Sequence, residues 1–97
     1  MSDENKDKAF WDLVDKFVDL ANDETDQQHA GTVNDAFLYA AARFSAHIVA
    51  VSSEDRKAFK EDKDEALNHV TDQFRTMLED NLEDYQENFK IYTSSEE

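Results

Sequence analysis

One glycine and no proline in 97 residues is the feature that most restricts what this chain can become. Sandwiches and barrels reverse direction every eight to twelve residues or so and draw on Gly, Pro, Asn and Asp to do it. A chain with almost no such breaks is left with long helices. The apolar residues agree, because they recur at intervals of three and four rather than two.

Three stretches carry that period. From Lys8 to about Asp23, Phe10, Val14, Phe17 and Ala21 fall on one line, flanked by Leu13, Leu20, Trp11 and Val18. Asp12, Asp15, Lys16, Asp19 and Asp23 take the opposite face, as expected of an amphipathic helix. Asn22–Gly31 is polar apart from Ala30 and reads as a loop, with Met1–Asp7 before the helix read as frayed. Thr32 is placed to cap a second helix, Val33–Val51, with Asp35 in its first turn. This second helix is the least polar segment of the chain. Phe37, Ala41, Phe44 and Ile48 form its main face, and Leu38, Ala42, Ala46 and Val49 its back. A helix apolar on all sides is normally buried on all sides.

Ser52 and Ser53 supply a cap for a third helix, with Glu54 and Asp55 in its first turn. That helix runs from about Asp55 to Lys90, roughly 50 Å at 1.5 Å per residue. Its stripe includes Phe59, Ala66, Val70, Phe74, Met77, Leu78, Leu82, Tyr85 and Phe89. The wholly charged run Lys60–Glu65 is the one place where a bend is expected, and residues 93–97 read as a disordered tail. The expected architecture is therefore all-α: a single domain, 1–97, of three helices. A helix 1/helix 2 hairpin is followed by a long third helix, and the whole packs as a homodimer.

Composition excludes several kinds of chemistry. There is no cysteine, hence no disulfide, thiolate nucleophile or thiolate metal site. No apolar run approaches the roughly 18 residues of a membrane span, and Met1–Lys8 is too polar for a signal peptide, so no membrane partner is expected and the setting reads as cytoplasmic. Twenty-four acidic residues against ten basic ones leave a net charge of −14, which repels nucleic acid and attracts basic proteins.

No constellation for catalysis stands out. His29, His47 and His69 lack the His-Glu-x-x-His spacing, and no Glu stands three residues before any of them. The acidic segment Asn22–Asp26 lacks the alternating oxygen ligands and mid-loop Gly of a calcium-binding loop. No catalytic residue, metal or cofactor is expected.

Arg43 breaks pattern by standing in the apolar second helix, one turn before His47 and near Tyr39. It is expected to be at least half buried and paired with Asp12, Asp15 or Asp19 of helix 1. The alternative is a small anion or ligand pocket built from Tyr39, Arg43 and His47. The line Leu38, Ala42, Ser45 and Val49, spaced by four, three and four, reads as a seam for a second copy of the chain, since Ala and Ser admit a close partner backbone.

Two strings, Phe10–Asn22 and Leu38–Ala50, together with Met77–Leu82, resemble a family of small proteobacterial proteins catalogued as a domain of unknown function, number 3144. The resemblance spans nearly the whole chain. It implies a bacterial, cytoplasmic protein and supplies no activity, cofactor or catalytic residue. The leading expectation is a non-enzymatic, self-associating interaction module. The alternative is an acidic decoy that binds a basic protein partner by mimicking nucleic acid, a role that Lys57, Lys60, Lys63 and Arg75 interrupt along helix 3.

Overall fold

The computed structural model describes residues 2–93, with side chains from Asn5 onward. Its described residues form four helices and no strand: α1 (Ser2–Glu24), α2 (Ala30–Ser52), α3 (Arg56–Glu87) and the short α4 (Phe89–Thr93). Three long helices joined by short connections, with the third the longest, are the expected all-α architecture. By contacts the chain divides into two compact units, Met1–Ala46 and His47–Glu97.

In the first unit, α1 begins at Ser2, six residues before the predicted start. The segment read as frayed is therefore helical from Ser2 to Asp7. Asp7, in the second turn, carries negative charge toward the positive end of the helix dipole. Lys8 adds an i,i+4 ion pair to Asp12 at 3.0 Å, of the solvated kind that contributes only a few tenths of a kcal/mol. The helix stops without a glycine: the Thr25 hydroxyl donates to the Asn22 carbonyl at 2.6 Å and the Gln28 N–H to the Glu24 carbonyl at 2.9 Å, which satisfies two of the orphan acceptors at a helix end.

The loop shrinks to the residues between Glu24 and Ala30, and the cap of α2 moves with it. His29, not Thr32, is the capping residue. Its Nδ1 accepts from the Gly31 N–H at 3.0 Å, while its carbonyl receives the first helical bond from Val33 at 3.0 Å. Gly31 sits in the first turn of α2 without a positive φ. A Cβ there would lie 3.3 Å from the His29 Nδ1, so the glycine leaves room for the capping imidazole.

In the second unit, the expected cap is again displaced by two or three residues. Ser53 closes the end of α2 by donating its hydroxyl to the Val49 carbonyl at 2.9 Å. Asp55, in extended backbone at φ −157°, caps α3 by accepting from the Ala58 N–H at 2.9 Å. The charged run Lys60–Glu65 introduces no break, so α3 is continuous over about 48 Å at 1.5 Å per residue. The interruption comes later, at Asn88, where φ −118° and ψ 32° separate α3 from α4. Residues 94–97 of the predicted tail lie outside the described residues, and Thr93 closes α4.

No described residue is buried. This departs from the expectation for α2, whose Phe37, Leu38, Phe44 and Ile48 are all exposed. Period and composition gave that helix apolar faces on every side. What lies over those faces is not a local property of the helix.

Candidate functional site

The residues singled out on α2 are distributed between the two units. Tyr39 and Arg43 belong to the first and His47 to the second. Tyr39 and Arg43 are exposed. Arg43 is therefore not the half-buried group expected, and among the described residues no carboxylate of α1 stands within ion-pair distance of it. The reason is its surroundings: an exposed guanidinium keeps its hydration and needs no acid to compensate for burial. Along the seam, Leu38 and Ala42 are exposed, whereas Ser45 in the first unit and Val49 in the second are half-buried. Val49 is the more covered of the large side chains on the seam.

The α1 stripe behaves similarly. Val14 and Ala21 are half-buried on its midline, and Phe10, Leu13, Phe17 and Leu20 are exposed. Trp11 meets the Phe10 ring edge-on at 4.9 Å and 78°, a favourable quadrupole geometry, yet stays 60% exposed.

The most ordered polar geometry lies where α3 gives way to α4. Asp84, Asn88 and Tyr92 follow one another at intervals of four, which places them on one helical line. The Asn88 side-chain amide donates to both the Asp84 carbonyl (3.2 Å) and its carboxylate (2.8 Å), adding to the bond that the Asn88 backbone N–H already makes to the same carbonyl at 3.0 Å. The Tyr92 hydroxyl donates to the other Asp84 oxygen at 2.6 Å. Tyr92 also stacks on Tyr85, with ring centroids 4.1 Å apart at 23°. The Tyr92 phenol is raised above its ordinary value, first by donating to Asp84, then by partial desolvation and the adjacent carboxylate charge. This group fastens α4 to α3. Its signal was present in the sequence as three hydrogen-bonding side chains at four-residue spacing, hidden among many other carboxylates.

Among the described residues no three His, Cys, Asp or Glu side chains group into a metal-binding cluster. Among them also, no helix is long and apolar enough to cross a membrane. What the helices do present is exposed apolar side chains in stripes: Phe10, Phe17 and Leu20 on α1, Phe44, Ile48 and Val51 on α2, and a longer series on α3.

No curated protein and no solved structure matches this chain. A family model does, over residues 10–86, which takes in the α1 stripe, all of α2 and nearly all of α3 and leaves α4 outside. With that match covering well over half of the chain, the protein belongs to the family described as "Protein of unknown function (DUF3144)".

Proposed function

We propose that this protein is a non-enzymatic, self-associating helical protein that serves as an interaction module. The observation that carries the reading is the exposure of every long apolar stripe together with the absence of any buried side chain among the described residues. Soluble monomers seldom leave contiguous apolar patches larger than a few hundred Å² in water, and larger ones usually belong to protein interfaces. Two-fold pairing is the commonest way for a small chain to cover such a patch, because one surface then serves both partners. The bacterial, cytoplasmic setting is part of the same proposal and rests on the family resemblance alone.

The acidic-decoy reading is weaker, because the first turns of α3 are not acidic on balance. Arg56, Lys57, Lys60 and Lys63 offset Glu61, Asp62, Asp64 and Glu65 there. Light scattering behind a sizing column tests the main reading. The expected mass is twice the 11.2 kDa of the chain, or a higher multiple, at tens of micromolar. A mass that stays at one chain across that range refutes it.

A further inference from the structure

On the self-association reading, we propose that α3 is the pairing surface, that its occupant is α3 of a second copy of this chain, and that the two helices run antiparallel with the two-fold axis near Phe74. Three observations meet in this assignment.

The first is the stripe itself. From Leu67 to Tyr85 the apolar positions advance by three, four, four, four and three, which averages about 3.6 residues per step, the period of the α-helix itself. A stripe of that period stays on one side of a nearly straight helix, so two copies lie alongside each other with little supercoil. Leu67, Phe74, Leu78, Leu82 and Tyr85 on it are 64%, 44%, 43%, 60% and 46% exposed. Taking about 200 Å² as the full surface of a large side chain, they present roughly 500 Å² per copy, with flanking residues to make up the rest of the ~800 Å² per partner of a stable interface.

The second is size. Beside Leu67, the N-terminal half of this face offers the small Ala66 and Val70, both half-buried, and the C-terminal half offers Leu78 and Leu82. Phe74 lies midway between Val70 and Leu78, and midway between Ala66 and Leu82. An antiparallel pair centred on Phe74 sets small against large at both steps and keeps the helices equidistant. A parallel pair sets small against small and large against large, which leaves a gap at one end and a clash at the other.

The third is charge. At 100° per residue, Arg56, Lys60 and Lys63 fall within about 40° of Phe74 on the side of α3 that carries Leu67, and Asp64, about 80° from Phe74, is the one acid on that side before Leu67. Arg56, Lys60 and Lys63 make no intrachain ion pair among the described residues. Arg56 also sits in the first turn, at the positive end of the helix dipole, while the last turns hold Glu83, Asp84 and Glu87 at the negative end. Both placements are locally unfavourable. From Leu67 to Glu87 the helix carries Asp72, Glu79, Asp80, Glu83, Asp84 and Glu87 against Arg75. Of these acids only Asp84 flanks the stripe, the others standing on the far side of the helix, and antiparallel pairing sets Lys63 of one copy beside the partner's Asp84. It also opposes the two dipoles. Parallel pairing stacks Lys60 and Lys63 on their own copies.

Spin labels decide the orientation, and the lack of any native cysteine makes single substitutions sufficient. Glu61→Cys and Thr76→Cys stand on the side of α3 away from the stripe, so a label there leaves the pairing surface intact. In the antiparallel dimer the two labels are offset along the axis by about 39 Å at position 61 but only about 6 Å at position 76, from 1.5 Å per residue. Pulsed dipolar spectroscopy on the full-length chain is expected to give a much longer distance for Glu61→Cys than for Thr76→Cys. In parallel, Lys60→Glu with Lys63→Glu is expected to raise the dimer Kd about fivefold to tenfold at low salt, each change being made twice in a symmetric pair. Equal distances at both positions mean a parallel pair, and long distances at both mean an interface elsewhere. Either result overturns the assignment while leaving self-association intact, as does a Kd unmoved by the lysine reversals. A monomer at tens of micromolar, with α3 covered by its own chain, overturns both readings together.

Discussion

Replacing Asp55 with Ala removes the side chain that caps the opening turn of α3. The Asp55 carboxylate accepts from the Ala58 N–H at 2.9 Å, and the same residue's carbonyl receives the first helical bond, from Phe59, at 3.0 Å. Losing an Asp cap for Ala costs about 0.5–2 kcal/mol, with exposed caps near 1. Here the carboxylate also supplies negative charge beside a first turn that contains no acid of its own and starts with Arg56 and Lys57. That dipole interaction adds about 0.3–1 kcal/mol at low ionic strength. The expected total for Asp55→Ala is about 1–2 kcal/mol, or roughly 5–10 °C in Tm for a chain of this length. Asp55→Asn keeps the acceptor and loses the charge, so it is expected to recover about half of the loss at low salt and nearly all of it at high salt. Thermal melts followed by circular dichroism at 222 nm measure all three, provided protein concentration is held constant, since association makes Tm depend on it. An Asp55→Ala variant within ~0.3 kcal/mol of the parent refutes the assignment of this residue as the cap, and would move that role back to Ser53.

The second helix start behaves in the same way. His29→Ala is expected to destabilise α2 by about 0.5–1 kcal/mol in urea titrations, the net worth of one exposed hydrogen bond, and His29→Asp to restore it. Tyr92→Phe is expected to remove a raised phenol step from a spectrophotometric titration, and Asp84→Asn to bring that step back toward the ordinary value. The folded phenol holds its proton above the unfolded value, so the stability it contributes is fully present below pH 10.0 and is lost as pH rises through the raised folded value. Arg43→Met is expected to lie within about 0.5 kcal/mol of the parent by chemical denaturation, as for an exposed side chain with no acid to strand.

The helix boundaries show where local information is sufficient. Period and composition place α2 to within three residues at its start and one at its end, and α3 to within one and three. The caps are less legible. Thr32 and Ser53 are both good capping residues by type, but His29 and Asp55 hold the caps instead. A cap is chosen by which residue adopts extended backbone, and that depends on how tightly the connecting loop turns. The first displacement contracts its loop by several residues; the second moves the short α2–α3 connection one residue along the chain and leaves Ser53 to finish α2. The bend anticipated at Lys60–Glu65 does not form, because Lys, Glu and Asp in alternation are compatible with a solvated helix and nothing there competes for the backbone. Asn88 does compete, by turning its amide onto Asp84.

By itself the sequence determined that this protein is helical, where its three long helices run, and which residues share a face. Those properties depend on intervals of three and four and on the lack of helix-breaking residues, all readable within a few turns. Only the tertiary structure decided which apolar faces stay in water. Arg43 looked like a group in need of a buried acid, and α2 like a helix enclosed on every side, because their neighbours in sequence are apolar. Burial depends on what is brought over a face from elsewhere, and that is set by contacts distant along the chain rather than by the residues beside it.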